Sequence, residues 1–416
     1  MTASVTGVTA TSDQISNVDP LGDHGFVHGL TQKIRAGVNP GPKLDALNRK
    51  SVQLIATSLA KFGKEQKTFS VNLKDWVYHE VMMATTGGVY GPRNPFEHEE
   101  MRKAFPRYER DFLPLMINIL PSWIAPDGVR ARTVLERGYQ RYFDEGGHTE
   151  AESSTLIKEK YEFCTAKGLP DLDIAKVEVL ASIALLSNTM PATFWLAYHL
   201  YSDEELLSAC RMELEQAVSE TGDNVRTIDM ACVKNRCPIL LSTFQEVLRF
   251  YAVGVSSRRV LEDTVIDNTY LVKKGGIIFI PGVAQHKLKS AWGEGADEFS
   301  PKRFVPNPAG SGKSRNYDAA AFRAFGGGAT LCPGRHFVAT EILAFAAFIV
   351  LRFDAQPTEG KWTPPTTQKT VPAATIRQPD YGFDVELRAR NNYEWEVQFS
   401  DLDVPIPVSI EDIVST

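Results

Sequence analysis

The clearest chemistry in the sequence lies at Cys332, which follows a glycine-rich loop and precedes a long apolar segment, His336 to Leu351. Gly326 to Gly328 and Gly334 allow the backbone to adopt positive φ and to approach a flat ligand closely. Because the free N–H groups and the dipole at a helix N-terminus lower the pKa of a thiol, the sequence predicts that Cys332 is poised to ionise. A thiolate in this place can be the axial ligand of haem iron, where it favours cleavage of an O–O bond. The competing interpretation is an ordinary buried cysteine after a glycine loop.

Two charged residues three positions apart, Glu246 and Arg249, lie on one face of a predicted helix and can pair with each other. A solvated surface pair of this kind is common and contributes little to stability. The neighbouring positions are apolar, which favours burial of the pair: Leu240, Leu241, Phe244, Val247, Leu248 and Phe250. Because a buried charge needs fixed partners, the pattern indicates a structural cluster.

A proline, Pro191, interrupts the long apolar helix predicted at Leu172 to Tyr201. Proline has no N–H, so the Ser187 carbonyl loses its i+4 partner and the helix is expected to kink or open there. A carbonyl freed beside Asn188 could hold a water molecule or a substrate group. An incidental kink in a buried helix is an equally good interpretation.

These residues are positioned by a chain that reads as mainly helical with small β-sheets concentrated late in the sequence, an α+β class. Periodicity and breaker residues predict helices at Leu44–Phe62, Leu73–Thr85, Glu97–Phe105, Arg130–Phe143, Ala151–Ala166, Leu172–Tyr201, Glu204–Glu220, Cys237–Tyr251 and His336–Leu351. Residues of β type predict strands at Arg258–Val265, Thr269–Val272, Ile277–Pro281, Thr375–Arg377, Phe383–Arg390 and Tyr393–Phe399. No repeat or linker is visible, so we expect one domain over residues 25–416 after a disordered or irregular segment, residues 1–24.

Composition argues against several classes of function. The net charge of −6, without a basic stripe, gives no reason to expect nucleic-acid binding. No CxxC pairing suggests a zinc site, and four cysteines are expected to be buried free thiols in a reducing compartment: Cys164, Cys210, Cys232 and Cys237. No signal peptide is visible, and the longest apolar run, Ile342 to Leu351, is too short to span a bilayer, so no transmembrane segment is expected.

The spacing of Phe325, Gly328, Cys332 and Gly334 resembles the haem-binding loop of the cytochromes P-450. The resemblance implies the cytochrome P-450 fold and a haem b cofactor, with Cys332 as the proximal ligand of the iron. It also implies that Phe325, Gly328, Thr330 and Gly334 bind the cofactor.

Two further motifs match the same family in the same order. The glutamate–arginine pair described above resembles the family's Glu-x-x-Arg helix, which implies that Arg303 is the third member of a structural cluster bracing the haem loop. An arginine just before the strands binds a haem propionate in this family. Arg258 is preferred for that role from its spacing to Asp263, and its neighbour Arg259 is the rival.

The long interrupted helix departs from the family pattern. Most members carry an acid followed by a threonine where this sequence has Met190 and Pro191. The candidate catalytic residues on this helix are therefore Asn188, Thr189, Pro191 and Thr193. A water relay built on Asn188 and the freed carbonyl is expected to deliver protons to dioxygen.

The motif Asn-Thr-x-Pro-Ala-x-Phe-Trp (residues 188–195), with Ala329-Thr330 where most members have a basic residue, narrows the resemblance. Both features resemble the branch containing the bile-acid sterol hydroxylases and prostacyclin synthase. The resemblance implies a monooxygenase that hydroxylates or otherwise oxidises a lipophilic small molecule (sterol, terpenoid or other secondary metabolite), with dioxygen and electrons from an NADPH-dependent cytochrome P-450 reductase. The alternatives are a reductase-independent isomerase or dehydratase of a peroxide, and a truncated, non-catalytic haem-binding remnant.

Family members also carry an anchor or leader, a hinge and first strands ahead of the matching region, which begins here near Gly25. The sequence shows none of these, so we expect a form that lacks the N-terminal strands and anchor. The expected location is the cytoplasmic side of the membrane system, with association to the endoplasmic reticulum if an anchor precedes the chain.

Overall fold

The structure is a computed structural model that describes residues 25–62, 67–306, 317–369 and 371–400, together with Ser12, Ile15, Val18 and Asp412. The segment expected to be disordered or irregular, residues 1–24, lies outside these ranges apart from three single positions.

The described chain is mainly helical. Its first helices are α1 Phe26–Val38, α2 Pro42–Leu59, α3 Leu73–Tyr90, α4 Glu99–Arg110, α5 Phe112–Ile117, α6 Pro121–Ile124, α7 Pro126–Asp144 and α8 Thr155–Ala166. The later ones are α9 Asp171–Leu186, α10 Thr189–Ser202, α11 Glu204–Glu215, α12 Met230–Arg236, α13 Pro238–Tyr251, α14 Gly282–Gln285, α15 Lys289–Trp292 and α16 Arg335–Arg352. This confirms the predicted fold class.

Small sheets lie around the helices. The strands are β1 Thr68–Asn72, β2 Val218–Gly222, β3 Val225–Asp229, β4 Val255–Arg259, β5 Thr264–Ile266, β6 Tyr270–Val272, β7 Ile277–Pro281, β8 Phe353–Pro357, β9 Asp384–Ala389 and β10 Glu394–Gln398. β9 pairs antiparallel with β1 and β8, and β3 pairs with β2 and with β10. β4 pairs antiparallel with β7, which fixes the strand that carries Arg258, and β5 pairs with β6.

A bundle of four helices forms the centre of the core. α2 packs against α3 and α16, and α10 packs against the same two helices. Every residue of α16 from Ala339 to Arg352 is buried, as expected for a helix that is apolar on all sides. Since Cys332 lies just before α16, the core helix fixes one side of the candidate site.

Several element boundaries differ from the predictions. The helix predicted at Glu204–Glu220 ends at Glu215, and the chain turns into the β2–β3 hairpin. A positive φ at Asn224, which asparagine tolerates, allows that tight turn. The strand predicted at Thr375–Arg377 is only a single bridge between Ile376 and Ala252.

One helical stretch of the described residues, Asp171–Ser202, is long and apolar enough to cross a membrane by length and composition. It consists of α9, a two-residue break and α10, and 72% of its most apolar window is buried inside the protein. A core helix passes the same test, and α10 lies in the bundle described above.

Candidate functional site

The loop before α16 folds back on itself at Cys332. The Cys332 N–H donates to the Phe325 carbonyl at 3.0 Å, so the two ends of the loop meet. Gly326 (φ 79°) and Gly328 (φ 59°) adopt the left-handed region that favours glycine. The Thr330 hydroxyl donates within the loop, to the Gly327 carbonyl at 3.3 Å, and its side chain is exposed.

Burial determines the ionisation of Cys332 more than the helix terminus does. It raises the pKa of the thiol, and the nearby N–H groups of Gly334 and Arg335 and the Arg335 charge oppose only part of this effect. The predicted lowering of the thiol pKa is therefore wrong for the chain by itself. Because a buried thiolate is costly without a counter-charge, the position favours a thiolate that is paired with a cation.

Arg258 connects the sheet to the loop. Its Nη2 donates to the Gly327 carbonyl at 2.7 Å and its Nη1 to the Ser257 carbonyl at 2.8 Å. Arg259, the rival, points away along the same strand and is exposed. Asp263, whose spacing favoured Arg258, lies in the next turn and accepts hydrogen bonds there from Lys273 Nζ and Lys274 N, both at 2.9 Å. The propionate role of Arg258 stays a prediction.

The structure brings Glu246, Arg249 and Arg303 together in one buried cluster. Arg249 donates to both Glu246 oxygens, at 2.7 and 2.8 Å, and Arg303 Nε lies 3.1 and 3.2 Å from the same two oxygens. The Ser300 N–H adds a further donor at 2.8 Å. The remaining arginine donors bind backbone carbonyls of His286, Trp292, Gly295, Ala296 and Glu298. Such a fully satisfied charged network fixes the segment around residues 286–303 against α13.

His286 links this cluster to the loop. Its carbonyl accepts from Arg249 at 2.6 Å, and its ring Nε2 accepts from the Arg323 N–H at 2.8 Å. Burial lowers the pKa of His286 to about 4, so the ring stays a neutral acceptor near neutral pH. Arg323 lies two residues before Phe325. This position next to the loop motif was the only feature of the sequence that could have pointed to the contact with His286.

The interrupted helix opens at Ser187 and Asn188, where α9 ends and α10 has not begun. We call these two residues the distal break. This is the opening that Pro191 predicted. The segment of residues 373–378, here called the cavity segment, crosses the break.

Asn188 is already engaged by the cavity segment. Its Oδ1 accepts from Thr375 N at 2.7 Å, Thr375 Oγ1 at 3.0 Å and Ile376 N at 3.1 Å. Asn188 was expected to hold a relay water, and its amide oxygen instead anchors the backbone of the cavity segment. Only the amide N–H groups of Asn188 remain for a water molecule, so the expected relay would have to use them and stays a prediction.

The threonines of α10 have local partners. Thr189 donates to the Leu185 carbonyl at 2.9 Å, and Thr193 donates to the Thr189 carbonyl at 2.8 Å. Thr189 lines the cavity described next, whereas Thr193 and Pro191 are buried away from it. A catalytic role for Pro191 or Thr193 therefore has no geometric support.

A cavity of about 270 Å³ lies between the loop and α9–α10. Cys332 and Phe325 form one side, and Ala184, Asn188 and Ala192 form the opposite wall. The remaining lining includes one charged residue, Arg323, and is otherwise mostly apolar or small: Leu248, Gly254, Val255, Ser256, Ile280, Ala324, Gly326, Val338, Ile342, Thr375 and Ile376. A single thiol on one side of an apolar chamber is a donor set that fits a haem iron with a lipophilic ligand beside it.

Comparisons with known proteins agree with this geometry. The family model described as cytochrome P450 matches residues 52–384. The cytochrome P450 monooxygenase nodJ of Hypoxylon pulicicidum is 36% identical over 384 residues, which cover 89% of this chain and 73% of that protein. Cholesterol 7-alpha-monooxygenase of Cricetulus griseus is 24% identical over 304 residues, 68% of this chain and 58% of that protein.

Among solved structures, the retinoic acid-bound cyanobacterial CYP120A1 superimposes with a TM-score of 0.65 at 18% identity. The match covers 88% of this chain and 79% of that chain, and at this identity it shows the fold alone.

Proposed function

We propose a substrate class, an electron source and a location for this chain, which belongs to the cytochrome P450 family and is an oxidoreductase of the monooxygenase type. The substrate is a lipophilic small molecule, a sterol, terpenoid or other secondary metabolite. The observation that carries this proposal is the apolar cavity between Cys332 and the wall formed by Ala184 and Ala192. The Cricetulus relative is named for a sterol, cholesterol, and this name supports the sterol option.

The family implies a haem-thiolate cofactor, and Cys332 would hold the iron of haem b. When bound, the haem supplies the redox chemistry of dioxygen. The loop carbonyl of Gly327, bound by Arg258, and the Arg323 N–H, bound by His286, hold the two arms of the loop in place. Apolar side chains such as Ile342 and Val338 exclude water from the thiol side.

Proton supply from the distal wall must use few groups. Of the polar side chains of α9–α10 that line the cavity, Thr189 donates to a helix carbonyl and Asn188 offers only its amide N–H groups. An amide is a poor proton donor but can orient a water molecule. We therefore assign Asn188 to holding the cavity segment and orienting water.

The reductase dependence separates two reactions. A monooxygenase needs two electrons per turnover, which we assign to an NADPH-dependent cytochrome P-450 reductase. An isomerase or dehydratase of a peroxide needs no electrons from a reductase. We keep this alternative because few side chains of α9–α10 at the cavity can donate a proton.

The test incubates the haem-loaded protein with sterol and terpenoid panels, with and without reductase and NADPH. Oxygenated product that requires both additions supports the monooxygenase with this electron source. Turnover of a lipid hydroperoxide without reductant would replace it with the isomerase. A protein that gives no thiolate-type spectrum of its reduced carbon-monoxide complex would instead be the non-catalytic remnant.

For the location we propose the cytoplasmic face of a membrane. An apolar patch around α5 and α6 supports this, because six large side chains within nine residues are exposed: Met116, Ile117, Ile119, Leu120, Trp123 and Ile124. Trp123, which is 86% exposed, is a side chain suited to the interface of a bilayer.

Flotation with phosphatidylcholine vesicles tests this location. Trp123→Ser together with Leu120→Ser should leave the protein in the lower fraction, while Leu261→Ser, on another exposed surface, should float like wild type. Equal flotation of all three proteins would contradict a role of this patch.

A further inference from the structure

Glu109, near the end of α4, is a buried carboxyl group that the proposed function does not use. The residue is 4% exposed. Its Oε1 accepts a hydrogen bond from Gln378 Nε2 at 2.8 Å, and the Ser187 hydroxyl lies against the same carboxyl group. Ser187 belongs to the distal break and Gln378 ends the cavity segment. Glu109 therefore contacts both pieces of chain at the point where they cross.

Both contacts of Glu109 lie close to the cavity wall along the chain. Ser187 directly precedes Asn188, and Gln378 follows Ile376 by two residues. Asn188 and Ile376 line the cavity and are bonded to each other, Ile376 N to Asn188 Oδ1, at 3.1 Å. A displacement of either neighbour of Glu109 would therefore move the wall.

The groups that face Glu109 leave its charge without a bonded cation among the described residues. Lys74 of α3 faces it, but the Lys74 Nζ donates to the Pro379 carbonyl at 3.0 Å. Tyr78 of the same helix also faces it, and its hydroxyl group is buried with no hydrogen-bond partner among the described residues. Further charges act on Lys74 rather than on the carboxyl group itself: Asp75, Asp380 and Lys369.

Burial raises the pKa of Glu109 to about 7, although the nearby Ser187 hydroxyl, the hydrogen bond from Gln378 and the Lys74 charge oppose the shift. The Ser187 hydroxyl is buried and makes no hydrogen bond within the described residues, so its contact with the carboxyl group is one of packing. The neutral acid is thus the form of Glu109 that is favoured where the distal break and the cavity segment cross. It adds a hydrogen-bond donor and removes a buried charge that has no bonded cation. A folded-state pKa above the unfolded value means that the stabilisation is present at low pH and is lost as pH rises through about 7.

We propose that Glu109 is a positioning residue of the active site, which in its neutral form holds the distal break and the cavity segment together and so sets the shape of the wall against which substrate binds. This rests on the proposed function, because it takes the cavity beside Cys332 as the substrate site. Glu109 acts through Ser187 and Gln378 and does not itself line the cavity.

Hydrogen exchange measures the junction without using the haem. The reporters are the backbone N–H groups of Thr375 and Ile376, which donate to Asn188. After correction for intrinsic exchange, wild-type protection at these amides should fall about tenfold between about pH 6 and about pH 8. Glu109→Gln, which keeps an acceptor and a donor but cannot ionise, should show protection that does not change with pH.

Binding of fluconazole, a triazole that does not titrate in this range, gives the second measurement on the haem-loaded protein. The wild-type Kd, followed by the haem spectrum, should rise several-fold over the same pH interval, and Glu109→Gln should bind equally well throughout. The control is Glu80→Gln, since Glu80 is equally buried but lies on α3 beside Ser58, away from the cavity. This variant should keep the wild-type pH profile.

The outcomes are distinguishable. If Glu109→Gln follows the wild-type pH dependence in both measurements, the positioning role is refuted while the haem spectrum leaves the proposed function intact. If no haem is retained, the proposed function fails and the exchange data alone still decide the role of Glu109. If Glu109→Gln does not fold, Gln378→Met removes the same hydrogen bond from the other side, and unchanged protection and pH profile in that variant would overturn the proposal.

Discussion

Cys332 combines two opposing demands at the scale of a single residue. Its burial disfavours the charged thiolate, yet the chemistry that the family implies requires one. The chain offers the N–H groups of Gly334 and Arg335 beside the sulfur, which is enough to orient a thiolate but not to stabilise it alone. A bound cation resolves the conflict, so occupancy of the site and ionisation of Cys332 should be coupled.

Cys332→Ala is therefore expected to abolish the thiolate-type Soret band of the reduced carbon-monoxide complex, because no other described thiol lines the cavity. Absorption spectroscopy of the purified protein checks this. Cys232→Ala, which removes a partly exposed cysteine on α12, serves as the control and should keep the band. A band that survives in Cys332→Ala would refute the ligand assignment.

His286 makes the loop sensitive to acid. Its pKa is lowered to about 4 in the folded state from an ordinary value of 6.5, so unfolded chains bind its proton first as pH falls. Its contribution to stability is complete above about pH 6.5 and is lost towards about pH 4, by about 1.4 kcal/mol per pH unit within that window.

Denaturant unfolding at several pH values should therefore show a shallower loss of stability in His286→Gln than in wild type, since glutamine can still accept from the Arg323 N–H and does not titrate. His98→Gln, at an exposed position, should follow wild type. Parallel curves for wild type and His286→Gln would show that the ring does not couple to acid unfolding.

At the scale of elements, the candidate site depends on contacts between segments that have little regular structure. Between β7 and the loop, the residues that the structure describes form only short helices, and the arginines of the Glu246 cluster donate hydrogen bonds to carbonyls of this stretch. Removing one member of a buried charged cluster leaves the others unpaired, which is more costly than losing a surface ion pair. The cluster thus takes the place of secondary structure in holding the loop side of the cavity.

Arg249→Ala is expected to lower the free energy of unfolding by roughly 3–5 kcal/mol and to reduce haem retention. Chemical denaturation and the ratio of haem to protein after gel filtration measure the two effects. The matched control is Arg93→Ala, which breaks exposed ion pairs with Glu145 and Glu150 and should change the stability far less. Normal haem content and stability in Arg249→Ala would contradict the bracing role.

At the scale of the whole molecule, residue spacing predicted only those parts of the site whose residues are near each other in the sequence. The loop motif identified Cys332. The glutamate–arginine pair was identified separately, because residues three positions apart lie on one face of a helix. The contacts that shape the distal wall join residues far apart, 187 positions between Asn188 and Thr375 and 269 between Glu109 and Gln378. No periodicity reports such pairs, since they follow from the packing of α4 and α9 against the chain after α16.

The failed details have the same origin. The helix-terminus argument for Cys332 used a local effect and left out burial by the rest of the chain. The relay expected on Asn188 did not foresee the cavity segment, which occupies the amide oxygen and leaves only the N–H groups for water. Pro191 did predict the position of the break, because a missing N–H is a property of the sequence itself.

Asn188 therefore connects the distal break to the cavity segment beside the cavity, and its substitution tests this junction. Asn188→Leu removes the acceptor of three hydrogen bonds from Thr375 and Ile376, so the cavity segment should detach while the four-helix bundle stays folded. We expect fluconazole to bind about tenfold more weakly and, with reductase and NADPH, a larger share of the NADPH to appear as hydrogen peroxide.

Asn188→Asp separates this explanation from a direct chemical role of the amide. A carboxylate accepts the same three donors, so Asp at this position should retain the cavity segment and most of the affinity, although it lacks the amide N–H groups. Hydrogen exchange at Thr375 and Ile376, fluconazole titration and the peroxide yield are measured on both variants. If both lose coupling equally while only Asn188→Leu loses exchange protection, the amide N–H groups act on water and anchoring is not the cause. If Asn188→Leu matches wild type in all three measurements, the distal wall does not depend on this junction, and the contacts of Asn188 have no part in binding.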